Sequence, residues 1–298
     1  MTKTNMRHTY EYEVDLTSDS APARVINMVG SRKRVLEVGA GPGSITKHLI
    51  STNKCDVVAL EIDPTAIAKL EEFTDKIYSL DLNDPSWFHV LDDEDRFDIV
   101  IAADVLEHVQ NPLRTLQGMV SLLRPGGEII LSLPHVGHCT IGACLLAENF
   151  RYQDWGLLDR THIQFFGLTN INDLYENAGL GIIEAQFVVR TPRQTEFLDI
   201  WESITETGRQ GLLTNPHGFV YQVVSRAKIL DPHETAINLM NLAVEVNDPY
   251  YSPNKQGPAI LGNENIFRKS ARTIIRNTLP LNVKNAIRRI GRKCGVNL

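Results

Sequence analysis

Four cysteines among 298 residues (Cys55, Cys139, Cys144 and Cys294) lie scattered, with no Cys-x-x-Cys pair. Such sparse thiols suit a reduced, cytoplasmic protein rather than a disulfide scaffold. No apolar run reaches the ~18 to 20 residues that a membrane span needs. The opening Met-Thr-Lys-Thr-Asn-Met-Arg-His lacks the apolar core of a signal peptide, so export is not expected. Internal repeats and low-complexity tracts are also missing. Acids are missing after Glu264, where nine bases follow: Arg268, Lys269, Arg272, Arg276, Lys284, Arg288, Arg289, Arg292 and Lys293. Set against the net charge of -6, those nine bases leave about -15 on everything before them. An acidic body of that kind does not suit nucleic acid.

What is present is ordinary in amount and specific in arrangement. The chain is 43% hydrophobic and 22% charged, as soluble globular proteins are. From Arg34 short apolar runs alternate with helical patterns. Strands are predicted at 34–38, 56–60, 77–80, 97–102 and 127–133, and helices at 43–51, 64–72 and 111–123. A helix at 21–29 precedes them. Alternation of this kind implies an α/β fold, a doubly wound, mostly parallel sheet with helices on both faces. A helix at 170–177, strands at 181–189 and 218–225, and an inserted helix at 197–208 follow. The first strand runs into Gly39-Ala-Gly-Pro-Gly43, where glycine lets the backbone approach a bound nucleoside closely. The second ends in Glu61, a carboxylate able to accept from both hydroxyls of a ribose. Ser44 stands where the dinucleotide fingerprint requires glycine, which favours a cofactor without a phosphate over NAD.

The fourth strand completes a pattern. Glu37-x-Gly-x-Gly-x-Gly43, the acids Glu61 and Asp81, Phe97-Asp-Ile-Val-Ile-Ala-Ala-Asp-Val-Leu-Glu-His108 and Leu123-Arg-Pro-Gly-Gly-Glu-Ile-Ile-Leu131 occur in order across roughly residues 30–135. Together they closely resemble the class I S-adenosylmethionine-dependent methyltransferases. Residues 150–166, Phe-Arg-Tyr-Gln-Asp-Trp-Gly-Leu-Leu-Asp-Arg-Thr-His-Ile-Gln-Phe-Phe, resemble a subgroup associated with cell-surface polysaccharide and other glycan pathways. The core motifs are also similar to ubiquinone-pathway methyltransferases. The resemblance implies S-adenosyl-L-methionine as cofactor. It implies cofactor contacts from Glu37, Gly39, Ala40, Gly41, Gly43, Glu61, Ile62, Asp81, Leu82, Ala103, Asp104 and His108. Within that set Glu37 lies near the methionine amine, Glu61 takes the ribose, Asp81 and Leu82 take the adenine, and Ala103 and Asp104 border the sulfonium. Glu107 either starts the next helix structurally or serves the site. A closing antiparallel hairpin and a lid over the cofactor from residues 1–30, including Tyr10 and Tyr12, are implied as well.

Methyl transfer to a hydroxyl benefits from a general base, and histidine is the natural one near neutral pH. The candidates lie in an excursion over residues 134–166: His162 first, then His138, with His135 beside them. Asp159, three residues before His162, could bring a carboxylate to its imidazole. The alternative is an Asp159–Arg160 ion pair and a buried, hydrogen-bonded His162. His135, His138 and Cys139 lack the second pair of ligands that a zinc site uses, so no metal is expected. Tyr152, Trp155, Phe165 and Phe166 either line an acceptor pocket or form a lid core.

The methyltransferase domain is expected over 1–228 and a helical extension over 229–298, with a helix at 237–246 and a Pro- and Gly-rich linker at 247–263. In the basic tail 264–298, Phe267, Ala271, Ile274 and Ile275 share one helical face, and Val283, Ala286, Ile287 and Ile290 share another. This pattern suits peripheral attachment to an anionic membrane, or a docked pair of helices. The expected acceptor is a hydroxyl on a sugar or glycan intermediate. The alternatives are a quinone or other small aromatic, and an inactive cofactor-binding scaffold.

Overall fold

The computed structural model describes residues 11–246 and residue 248. Tyr10, the 249–263 part of the expected linker and the basic tail 264–298 lie outside the described residues. Seven strands form one sheet: β1 (Arg34–Val38), β2 (Asp56–Leu60), β3 (Ile77–Tyr78), β4 (Phe97–Ala103), β5 (Leu123–Pro134), β6 (Gly181–Val189) and β7 (Val220–Lys228). Their order is β3-β2-β1-β4-β5-β7-β6. The first five are parallel, and β7 runs antiparallel between β5 and β6. Successive strand residues point to opposite faces, which splits the core in two. Val35, Ile99, Ile101 and Ile130 pack on one face beneath α1 (Ala21–Val29) and α2 (Thr46–Ser51). Leu36, Val100, Ala102 and Leu131 pack on the other. Around them lie α3 (Pro64–Leu70), α4 (Pro112–Ser121), α5 (Cys139–Leu146), α6 (Leu168–Asn177), α7 (Leu198–Ser203) and α8 (Glu206–Leu212).

Helix starts follow local chemistry. Ser20, Asp63 and Asn111 each accept a backbone N–H at a helix start, and each is followed by proline within the first turn. The glycine loop consumes residues 43–45 as a turn, so α2 begins at Thr46 rather than at 43. The expected helix 197–208 is two helices, because Ile204 leaves the helix in extended conformation and Thr205 caps a new one. The expected helix 237–246 is absent; only a 3-10 turn, Leu239–Asn241, is present. Tertiary contact displaced it: Ile237 N–H donates to Ile182 O, and Leu239 is fully buried. The first compact unit accordingly runs over Met1–Asn247, past residue 228.

Within the excursion, α5, α7 and the 157–158 turn bury Ile141, Cys144, Leu157, Phe197 and Ile200 in a separate small core. That core holds the 150–166 segment above the carboxyl ends of the parallel strands. Among the described residues no helix is long and apolar enough to cross a membrane.

Candidate active site

A cavity of about 520 Å³ opens at the carboxyl ends of β1, β2, β4 and β5. This is where ligands sit in open parallel sheets. Of the twelve expected cofactor residues, all except Gly43 line it. Gly41, at φ +56°, would place a Cβ in open space, so the loop presents bare backbone to the cavity. Gly43 faces inward, where a Cβ would meet Phe73 at 2.7 Å. Its role is close packing of the loop on α3.

Carboxylates outnumber the other titratable side chains on the walls. Glu61 accepts from the backbone N–H groups of Gly41 (2.7 Å), Ile62 (2.7 Å) and Asp63 (2.8 Å), tying the first and second strand ends together. Glu37 is buried and accepts from Thr46 Oγ1 at 2.6 Å. Burial above all, and Glu61 in addition, push its carboxyl from 4.5 up to about 8, against the pull of the Thr46 hydrogen bond. Asp104 sits at φ +54°, a region few residues other than glycine adopt. Three hydrogen bonds hold it there: from Ser132 Oγ at 2.6 Å to Oδ1, and from Gln222 Nε2 at 3.1 and 2.9 Å to the two oxygens. Burial raises its pKa too. Asp81 accepts from Asn83 N at 2.9 Å. Tyr12, from the N-terminal arm, lines the same cavity, and its N–H donates to Ser44 Oγ at 3.2 Å. Its phenol pKa is raised by burial and then by Asp104 and Glu37. Among the described residues, seven carboxylates and no lysine or arginine line the cavity.

One wall carries Glu107, His108 and His162. Glu107 is fully buried, and neither carboxylate oxygen has a hydrogen-bond partner. Burial, and then Asp104, raise its pKa well above the usual range. His162 Nε2 lies 3.9 Å from Glu107 Oε1, and its ring meets that of His108 edge-on, with centroids 4.9 Å apart. Burial first, and His108 second, pull the His162 imidazole down to about 4. The backbone N–H groups of Ile163 and Gln164 both donate to Glu107 O, at 2.9 and 3.0 Å. These bonds sew the His162 segment to the turn after β4.

The other expected catalytic residues are placed differently. Asp159 is buried and accepts from Thr161 N at 2.8 Å and from Thr161 Oγ1 at 2.6 Å. Arg160 pairs with Asp154 instead. His138 does not line the cavity. Its ring caps the start of α5, with Nδ1 meeting Thr140 Oγ1 at 2.8 Å and Nε2 meeting Arg190 O at 2.9 Å. His135 is likewise occupied, with Nδ1 at 3.0 Å from Val220 O. Thr46, Ser132 and Gln222 escaped the sequence reading. Thr46 is one residue on a helix, and Ser132 and Gln222 meet Asp104 only through strand register.

The family described as "Methyltransferase domain" matches residues 7–185, more than half of the chain. The chain belongs to the class I S-adenosylmethionine-dependent methyltransferases. A ubiquinone biosynthesis O-methyltransferase of Aliivibrio fischeri (strain MJ11) is 28% identical to this methyltransferase over 102 residues, 34% of this chain and 43% of that protein. A protein of the same name from Shewanella pealeana is 22% identical over 175 residues, 56% of this chain and 74% of that one. The chain thus spans less than half the length of the first of these relatives. Among solved structures, a putative methyltransferase from Bacillus halodurans C-125 is 16% identical, with a TM-score of 0.48 over 70% of this chain and 98% of that one. A Burkholderia thailandensis 1,6-didemethyltoxoflavin-N1-methyltransferase, solved with its substrate and S-adenosylhomocysteine, is 18% identical, with a TM-score of 0.44 over 71% of this chain and 79% of that one. The methyltransferase uses S-adenosyl-L-methionine as its cofactor.

Proposed function

We propose that this methyltransferase transfers the methyl group to a hydroxyl of a small molecule. The observation that carries the reading is the cavity itself: its lining holds seven carboxylates for a cationic donor, and with them a cluster of buried Glu107, half-buried His108 and His162. Bound S-adenosylmethionine supplies an activated methyl on a sulfonium. Glu61 accepts three backbone N–H bonds, which leaves a lone pair on Oε2 for a ribose hydroxyl. Glu37 and Asp104 offer carboxyls, both raised in pKa by burial, that the positive charge of a bound ammonium and sulfonium would favour in ionised form. With the donor bound, transfer of its methyl to the acceptor oxygen would leave the carbon–sulfur electron pair on sulfur. The hydroxyl proton passes to the neutral ring of His162 and on to solvent. Asp159 acts at one remove, holding Thr161 and, through it, His108. Holding the two reactants in line contributes much of the rate.

An aromatic hydroxyl is favoured by the curated relatives, whose names give O-methylation in ubiquinone biosynthesis. A sugar hydroxyl is the second reading. Tyr152, Trp155, Phe165 and Phe166 do not line the cavity, so the sugar reading rests on the exposed rings of the first three as stacking faces outside it. Methyl-labelled S-adenosylmethionine offered with a catechol, a polyprenyl phenol or a sugar nucleotide separates them. Label should appear in an ether of one class. Label only on nitrogen or carbon acceptors would overturn the hydroxyl reading.

The cofactor assignment has its own test. Glu61→Ala should weaken S-adenosylmethionine binding by about 2 to 4 kcal/mol, roughly 30- to 1,000-fold. Calorimetry showing wild-type affinity would move the ribose contact to another acid.

A further inference from the structure

We propose that Glu107, His108 and His162 bind a divalent transition-metal ion, of the zinc or manganese class, on the acceptor side of the cavity. One oxygen of Glu107 and one nitrogen of each imidazole lie within 4.8 Å of one another. Glu107 is the telling member. Its side chain has no exposure, and both oxygens are without a hydrogen-bond partner. Glu37 has Thr46, and Asp104 has Ser132 and Gln222. Among the described residues, Glu107 is the buried carboxylate left unsatisfied. Burying an unpartnered carboxylate costs several kcal/mol, a cost that a bound cation offsets. No lysine or arginine of the described cavity wall is there to do so.

The surroundings of His108 fit a ligand, while Nδ1 of His162 is buried without a hydrogen-bond partner. His108 Nδ1 lies 3.2 Å from Thr161 O, an oxygen that can only accept, so the proton sits on Nδ1 and leaves Nε2 with its lone pair. Thr161 in turn donates to Asp159 at 2.6 Å. Backing of this kind orients metal-binding imidazoles and sets their tautomer. The two backbone bonds to Glu107 O keep the carboxylate turn and the His162 segment together.

The donor set selects the class of ion. Two imidazoles and one carboxylate suit zinc, manganese or iron(II); calcium and magnesium prefer shells of oxygen. Three protein donors leave positions open for water and one further oxygen. Donors around a tetrahedral zinc stand roughly 3.4 Å apart, from Zn–N and Zn–O distances of about 2.1 Å. The cluster therefore draws in by about an ångström on binding. With an ion in place, an acceptor hydroxyl could occupy an open position, where its pKa falls and its proton passes to solvent water. His162 is then a ligand rather than the proton acceptor. That consequence rests on the hydroxyl-acceptor reading; the site itself does not.

Calorimetric titration of the full chain, stripped with a chelator, with Mn²⁺ and separately with Zn²⁺ tests the site. One ion should bind per chain, at least about 100-fold more weakly in Glu107→Gln and in His162→Ala, while S-adenosylmethionine affinity in both variants stays at the wild-type value and reports an intact fold. If Glu107→Gln does not fold, His162→Ala alone carries the test, with its circular dichroism and melting temperature reporting the fold. The absence of stoichiometric binding of either ion, or equal binding by wild type and variants, would overturn the proposal. Methyl transfer is read separately: metal binding without any O-methylation counts against the hydroxyl acceptor and not against the site.

Discussion

His162→Ala should lower kcat by about 10²- to 10⁴-fold while leaving the affinity for S-adenosylmethionine nearly unchanged. The size follows from what the ring does. A hydroxyl becomes strongly acidic as its oxygen bonds to the methyl carbon, and a proton acceptor or an ion at that oxygen contributes several kcal/mol to the barrier. The separation of kcat from affinity follows from position. His162 stands with Glu107 and His108 on one wall, while the glycine loop and Glu61 occupy the first and second strand ends. Its imidazole, held at about 4 by burial and by His108, is uncharged at neutral pH, the form that takes a proton or an ion. Single-turnover kinetics with saturating cofactor would read the chemical step directly. A variant with wild-type kcat would show that catalysis here is positional and that His162 only packs. Equal losses in kcat and in cofactor affinity would point to a collapsed cavity.

A second large effect is expected in the stability of the cofactor-free protein. Glu37 has a folded pKa of about 8 against an ordinary 4.5. A group raised in this way contributes its stability fully below the unfolded pKa, and that contribution is lost as pH rises through the folded one. The loss therefore falls between pH 4.5 and about 8, and a rise of that size corresponds to about 5 kcal/mol at most. Glu37→Gln keeps an oxygen for the Thr46 hydroxyl and removes the charge. Its Tm should exceed that of the wild type at pH 9 by roughly 10 °C, and the two should converge near pH 5. Asp104 and Glu107 also titrate upward but are common to both proteins, so the difference isolates Glu37. Parallel Tm curves across that range would show that water reaches the carboxylate. Saturating S-adenosylmethionine should steady the wild type most at high pH, where the donor's positive charge meets an ionised Glu37.

How much of this was legible from residues alone depends on the range of the cause. Gly39, Gly41, Glu61, Asp81 and Asp104 could be found because strands and the turns that end them are local. Their apolar periods mark the parallel sheet, and a parallel sheet gathers its carboxyl ends on one edge. Val35 and Leu36, or Ile99 and Val100, already encode which face each will bury. The helix expected at 237–246 failed because Ile182 and the core around Leu239 outweigh the local pattern. His138 and His162 are similar in sequence terms, each a histidine in an aromatic-rich excursion. Only folding separates them. One is spent capping α5 and bonding Arg190, and the other is pinned beside Glu107 by backbone bonds across more than fifty residues. Glu107 is the clearest case. Its type and place after β4 are local, but its carboxylate's lack of a hydrogen-bond partner depends on every element that closes over it. The sequence by itself determined the sheet, the glycine loop and the acids at its edge, because each arises within a few residues. Only the tertiary structure decided which histidine faces the cavity and which carboxylate is left unsatisfied, because burial and hydrogen-bond satisfaction are properties of the assembled fold.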